Sequence, residues 1–236
     1  LHFITVLGGE PFMYPYLFQM IEEHPQIFFQ VYTNGTLMTK EKAEKIRDLG
    51  NAMVVVSCEG YEEETDRWRG PGVFKKIMEA MDYLREARVL FGSSATVTKD
   101  NVEVISSEEW MDLLLKKGIV AQMYFLYLPV NGQGDINLMV TPEQRNHLRK
   151  QVMYFRRTKP LFILDFWNDG PHVQGCIAGG RRYFHINANG DVEPCVYTHV
   201  AMHNIKDIPL GDALDSPLFR AIRKRQPMNE NQLRPC

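Results

Sequence analysis

The sequence predicts an α/β fold of parallel βαβ units, followed by a small α+β region that carries cysteines. Three observations predict it. Apolar strand-like runs alternate with amphipathic helix-like runs as far as Phe166. Glycine or small polar residues follow three successive strands, as Gly8-Gly9-Glu10, Thr33-Asn34-Gly35 and Ser57-Cys58-Glu59-Gly60. Beyond Phe166 the rhythm breaks, and three of the four cysteines, Cys176, Cys195 and Cys236, fall there.

The elements follow in order. Phe3–Leu7 reads as a buried strand that runs into Gly8-Gly9-Glu10-Pro11. Tyr14–Glu23 reads as a helix ended by His24-Pro25, and Ile27–Tyr32 as the next strand. Thr39–Leu49 is a helix with Thr39 as N-cap and Gly50 as its stop; Lys42 stands where a capping box would want Glu. Ala52–Ser57 is a third strand, and Tyr61 to Gly72 reads as a charged loop. Val73, Ile77, Ala80, Met81 and Leu84 keep helical spacing over Val73–Ala87. Phe91–Val97 is a strand, Ser107–Lys117 a helix closed by Gly118, and Ile119–Leu128 a fifth strand. A loop with Pro129, Gly132 and Gly134 precedes helix Pro142–Arg157, where Thr141 caps and Pro142 takes the first helical position. Leu161–Phe166 is the sixth strand. Crossovers between parallel strands are right-handed, so the units wind one way into a barrel or an open sheet. The residues after the strands then share the rim at the strands' C-terminal ends, where such folds bind ligands.

After Phe166, Asn168-Asp169-Gly170-Pro171 reads as a turn or linker. The run Arg182–Ala188 alternates, Asn189-Gly190 signals a hairpin, and Val192–Tyr197 returns. Cys195 is expected on the second hairpin strand, with Cys176 shortly before the first. Leu210–Arg225 reads as a loop plus a short basic helix, and Gln226–Cys236 as a polar tail.

The 236 residues are 44% hydrophobic and 24% charged, with a net charge of −2. That composition is ordinary for a globular chain and gives no hint of a nucleic-acid or membrane surface. No apolar run approaches a membrane span, and no signal peptide is expected. The cysteines point to a reduced, cytoplasmic chain and to metal binding, not to disulfides. Leu1 stands in mid-strand and Cys236 ends the chain, so both ends are expected to be cut.

These residues resemble the radical S-adenosylmethionine (SAM) enzymes with a C-terminal SPASM or twitch-type auxiliary region. Gly8-Gly9-Glu10-Pro11 matches the family's GGEP, whose backbone and Glu hold the amino group of the SAM methionine. Thr33-Asn34-Gly35 matches a TNG-like turn. Ser57-Cys58-Glu59-Gly60 is similar to a Ser-Ile-Asp-Gly segment whose Ser reaches the SAM ribose or carboxylate. Glu59 stands where Asp is usual, and Asp66-Arg67-Trp68-Arg69-Gly70 resembles the acidic-to-Arg-Gly stretch that follows. Ala95-Thr96-Val97-Thr98 with Asn101 is also similar. Cys176, Gly190 and Cys195 keep the auxiliary spacing, with Cys236 where a further ligand falls.

The resemblance implies a partial (β/α)6 TIM-like barrel lacking its first βα unit over 1–167, and an incomplete auxiliary cluster region over 168–236. It implies Gly8, Gly9, Glu10, Thr33, Asn34, Ser57, Glu59 and Arg69 as cofactor-binding residues, and Cys176, Cys195 and Cys236 as metal ligands. The implied cofactors are SAM, a [4Fe–4S] radical cluster and an auxiliary [4Fe–4S] cluster. The implied activity is reductive cleavage of SAM to a 5′-deoxyadenosyl radical that abstracts hydrogen from a substrate, with a peptide or protein as first expectation. A reductant such as flavodoxin or ferredoxin would supply the electron. The family's CxxxCxxC is not in this sequence, so the 236 residues by themselves are expected to be inactive. The competing reading is a non-catalytic iron–sulfur or zinc scaffold.

Other candidates have plainer readings. Cys58 is expected to be a core thiol, with a hydrogen-atom donor as the alternative. His199 and His203 are expected on the surface, with zinc binding beside Cys176 and Cys195 as the alternative. Asp165 and Asp169 are expected to be solvated loop residues, with a substrate base or anchor as the alternative, and Arg220, Arg223, Lys224 and Arg225 a solvated helix face. Phe162, Phe166, Tyr124, Phe125 and Tyr127 are expected to pack in the core, with one or two flanking the adenine as the alternative.

Overall fold

The computed structural model describes residues 1–130 and 134–225; Gly132 and Gln226–Cys236 lie outside the described residues. The chain divides into two compact units: the first takes Leu1–Pro129 and Gln133–Phe166, and the second takes Val130–Gly132 and the chain from Trp167 onward.

The first unit is a parallel sheet whose strand order is its chain order. Its strands are β1 (Phe3–Val6), β2 (Phe28–Thr33), β3 (Ala52–Ser57), β4 (Phe91–Val97), β5 (Ala121–Leu126) and β6 (Phe162–Asp165). The sheet curls into a half-barrel with the helices outside, a partial TIM-like fold. The helices are α1 (Leu17–Glu23), α2 (Lys40–Leu49), α3 (Glu62–Arg69), α4 (Val73–Glu86), α5 (Val102–Ile105), α6 (Glu108–Lys117) and α7 (Pro142–Thr158).

Local chemistry sets the helix ends. Thr39 Oγ1 accepts the Lys42 N–H at 3.3 Å, and Gly50 closes α2 in the left-handed region. Thr141 and Gln144 form a reciprocal capping box on α7, with Pro142 at the first position.

Strand alternation sorts the side chains into two faces. Phe29, Val31, Val54, Val56, Phe91 and Val97 are all buried, and Val56 and Ile77 of α4 both lie close against Gly35. The opposite face carries Val55, Ala121 and Met123, packed with Tyr32, Met53, Phe125 and Leu164. Ser57 and Ser94 sit on that face, paired in register with their hydroxyls 3.3 Å apart.

Several expectations change. β1 is an edge strand and half open, with Phe3 50% exposed, because β2 is its one partner among the described residues. The expected helix from Tyr14 starts at Leu17, after a 3-10 turn over Pro11–Met13. The charged stretch after Tyr61 is not a loop: Glu62–Arg69 is helical, with Glu62, Glu63 and Glu64 in the first turn and Arg67 and Arg69 in the last. That charge order complements the helix dipole. Asp66 then accepts the N–H groups of Gly72 and Phe74 at 2.6 and 2.8 Å, which fastens α3 to the start of α4. Asp165 is fully buried at the end of β6, not solvated, because β6 runs through it. Phe162 is 63% exposed at the start of that edge strand, not core.

The second unit contains α8 (Gly170–Val173), a two-stranded antiparallel sheet of β7 (His185–Ile186) and β8 (Val192–Glu193), α9 (Leu210–Leu214) and α10 (Pro217–Lys224). Its core is Val192, Ala213 and Phe219, surrounded by Phe184, Ile208, Leu210, Leu214 and Leu218. The hairpin is shorter than its alternating sequence predicts. Cys195 therefore lies just past β8, in a turn closed by the Thr198 N–H donating to Cys195 O at 2.9 Å. Leu210–Arg225 holds two helices instead of one.

Candidate cofactor rim and cysteine site

The rim of the first unit is built from the loops after β1, β2 and β3. Gly8 and Gly9 both have positive φ, +89° and +43°, and a Cβ at either would meet nothing within 4 Å. Their backbone is thus open to a ligand from outside the chain, and glycine is required by conformation and not by crowding. Glu10 follows in extended geometry. Its Oε1 accepts the Phe12 N–H at 3.1 Å and the Thr33 hydroxyl at 2.7 Å, and its Oε2 accepts the Asn34 N–H at 2.8 Å. A carboxylate has about four acceptor positions, so Oε2 keeps one. Asn34 turns its Oδ1 to the N–H and hydroxyl of Thr36, at 2.9 and 2.6 Å. Gly8, Gly9, Glu10, Thr33 and Asn34 are thereby brought into one group.

Ser57 and Glu59 form a second group on the rim. Ser57 pairs with Ser94, as above. Both oxygens of Glu59 face the Arg69 guanidinium, one at 2.7 Å to Nη2 and the other to Nε. The Glu59 side chain is 2% exposed and that of Arg69 21%. A planar guanidinium meeting a carboxylate in this forked way fixes both partners. Asn101 completes the group. Its Nδ2 donates to Glu59 O at 3.0 Å and to Thr96 O at 2.9 Å, while its Oδ1 accepts the Thr98 N–H at 2.8 Å. The loop after β3 is thus tied to the end of β4. The sequence pattern marked Asn101 without a role, and Ser94 carried no signal, because its partner is set by strand register.

Cys58 points away from this rim. It is fully buried, and its thiol contacts Gly60 O and Thr65 Oγ1 at 3.4 and 3.5 Å. Burial pushes the thiol pKa up to about 12. That is the chemistry of an inert core thiol, not of a reactive donor. On the same side Tyr124 donates to Ile105 O at 2.8 Å; burial first, and the neighbouring Asp165 second, hold its phenol above the usual range.

In the second unit Cys176 and Cys195 approach a common residue, Tyr183. The Tyr183 hydroxyl lies 2.8 Å from Cys195 Sγ. Burial, then the bond and charge of Cys195, then Cys176, raise its phenol pKa. The Ala178 N–H points at Cys176 Sγ at 3.4 Å, and the Gly179 N–H donates to Pro194 O at 2.9 Å, joining the two cysteine segments. Both thiols are free and partly exposed. Cys236 lies outside the described residues. His199 Nδ1 is 3.6 Å from Glu193 Oε2, and His185 Nε2 is 3.9 Å from the same atom. His203 offers its backbone carbonyl to Val192. Among the described residues no three His, Cys, Asp or Glu side chains are already spaced around a metal position. Arg220 and Arg223 pair with Asp215 at 2.8 and 3.5 Å on the exposed side of α10.

Residues 1–114 match the radical SAM superfamily model, and residues 176–236 match SPASM, described as an iron-sulfur cluster-binding domain. The AdoMet-dependent heme synthase of Methanosarcina barkeri is 30% identical over 93% of this chain and 70% of its own. The chain belongs to the radical SAM superfamily. The sporulation killing factor maturation protein SkfB of Bacillus subtilis is 28% identical over 91% of this chain and 52% of its own. Streptococcus suis SuiB shares the fold, with a TM-score of 0.76 at 21% identity over 94% of this chain and 57% of its own. This radical SAM chain therefore spans between about half and 70% of the proteins it resembles. The cofactors that go with its two matched regions are SAM and iron–sulfur clusters.

The residues present fit those groups. The open, left-handed Gly8-Gly9 backbone and the spare Glu10 acceptor suit the ammonium end of SAM. Two free thiols, each with a donor aimed at its sulfur, suit thiolate ligation of iron. Among the described residues no helix is long and apolar enough to cross a membrane.

Proposed function

We propose that this protein is a SAM-dependent radical enzyme that abstracts hydrogen from an organic substrate. The observation that carries the reading is Glu10, fixed by Thr33 and Asn34 behind two open glycines, with one acceptor position left. In this reading the Gly8-Gly9 backbone approaches the methionine end of SAM and Glu10 accepts from its ammonium. Ser57 donates to the ribose or carboxylate. Thr33 and Asn34 hold Glu10, and the Glu59–Arg69 pair holds the loop that carries Ser57. The apolar face with Tyr32, Phe125 and Met123 keeps water from the site. SAM bound to a reduced [4Fe–4S] cluster supplies the hydrogen-abstracting radical; the protein supplies position and shelter.

Residues 1–167 would form the SAM-binding core and 168–236 the auxiliary region, where Cys176, Cys195 and Cys236 would ligate a [4Fe–4S] cluster. The reading requires a CxxxCxxC outside these 236 residues, and the coding sequence before Leu1 tests that directly. A flavodoxin- or ferredoxin-type donor would reduce the cluster.

The heme synthase aligns over more of its own length than SkfB does, which supports a tetrapyrrole as the first substrate to test. A PqqA peptide cyclase of Bradyrhizobium diazoefficiens, 24% identical over 80% of this chain, supports the peptide class as a second reading. The matches to enzymes support catalysis over a non-catalytic scaffold. Full-length protein, reconstituted anaerobically and given SAM with a strong reductant, is expected to release 5′-deoxyadenosine. Faster release with an iron porphyrin than with peptides encoded beside its gene selects the first substrate class. No 5′-deoxyadenosine above protein-free controls overturns the proposal.

A further inference from the structure

Tyr183 links the two cysteine segments of the second unit. Its backbone belongs to the turn after Cys176: the Tyr183 N–H donates to Ile177 O at 3.2 Å, and Tyr183 O accepts the Gly180 N–H at 3.0 Å. Its hydroxyl crosses to Cys195 Sγ at 2.8 Å. The turn is held from two more sides. The Gly179 N–H bonds Pro194 O, next to Cys195, and Arg181 Nη1 bonds Cys176 O at 3.0 Å. Gly179 and Gly180, with φ of +67° and +72°, lie directly against Ile222 and Phe219 of α10. The phenol is therefore placed by backbone bonds and packing, not by a free rotamer.

We propose that Tyr183 is a positioning residue that donates a hydrogen bond to the Cys195 thiolate of the auxiliary cluster and raises that cluster's reduction potential. This rests on the reading of Cys195 as a cluster ligand. The physical basis is electrostatic. Reduction adds negative charge that is shared onto the ligating sulfurs, and a donor aimed at a sulfur stabilises the more negative state more. Partial burial strengthens the effect, because water does not screen the bond fully.

The test uses full-length protein with both clusters reconstituted. Cys195→Ala first identifies the auxiliary signal in electron paramagnetic resonance, as the signal and iron that are lost. Tyr183→Phe, which keeps the ring and removes only the O–H, is then titrated electrochemically. The expected result is unchanged iron and sulfide content and a midpoint potential for that signal shifted to more negative values. Proton electron–nuclear double resonance is expected to show an exchangeable coupled proton in the natural protein that the variant lacks. An unmoved midpoint with the signal intact, or the same exchangeable proton in the variant, overturns the role of Tyr183 while leaving the cluster in place. Full iron and an intact auxiliary signal in Cys195→Ala overturn both, and identify the ligand reading as the fault. A purely structural tyrosine would change iron content or unfolding and leave the potential where it was.

Discussion

Glu10 accepts the backbone N–H of Asn34 at 2.8 Å, across 24 residues of sequence, and so welds the loop after β1 to the loop after β2. The same carboxylate takes the Thr33 hydroxyl at 2.7 Å. A side chain assigned to a ligand is thus held first by its own chain, which orients its remaining acceptor position without further ordering.

Glu10→Gln tests that double duty. The amide keeps one acceptor oxygen and turns an –NH2 toward donors. Loss of a hydrogen bond to a charged group is worth about 1.5–3 kcal/mol, so SAM affinity is expected to fall about ten- to a hundredfold. Calorimetric titration of SAM into the full-length reconstituted protein reads this, and unchanged affinity removes Glu10 from the SAM site.

Arg69→Ala leaves the buried Glu59 carboxylate without its partner. Breaking such a pair from one side costs about 3 kcal/mol, which urea unfolding reads as a lowered midpoint. Arg69→Ala combined with Glu59→Leu is expected to recover part of the loss, because no bare charge remains. A neutral single variant would mean that water reaches Glu59.

Cys58 is expected to resist iodoacetamide in the native protein at about pH 8 and to react once the protein is unfolded, as read by peptide mass spectrometry. Burial pushes its folded pKa up to about 12, well above that of an exposed thiol. The stability linked to this raised pKa is fully present below pH 9 and is lost as pH rises toward 12, because the unfolded thiol releases its proton first. Native alkylation would contradict its burial.

Gly179→Ala places a methyl group into Ile222 at a backbone angle that disfavours any Cβ. Strain and overpacking together are expected to destabilise the second unit by about 3 kcal/mol. Faster hydrogen exchange in α10 and reduced iron retention would report it. Normal exchange would mean that α10 shifts without loss.

Much of the fold was legible in the sequence. The bounds of Ala52–Ser57 and Phe91–Val97 follow from β-rich runs between turn residues, and Thr39, Gly50 and Thr141 end helices by chemistry confined to a few residues. The Glu62–Arg69 helix was not legible, since it has almost no apolar stripe; its dipole-matched charges and the Asp66 link to α4 hold it. The hairpin is shorter than the sequence predicts, because alternation persists in sequence where pairing stops after two residues per strand.

By itself the sequence determined the βα order, the helix caps, the set of residues on one rim and the family motifs, because each depends on local spacing. Tertiary structure alone decided which atoms those residues spend on one another. Glu10 on Asn34, Glu59 on Arg69, Asn101 between two loops and Tyr183 on Cys195 are all contacts across distance in the chain. Such contacts depend on strand register and turn geometry, where a shift of one residue turns a side chain to the opposite face.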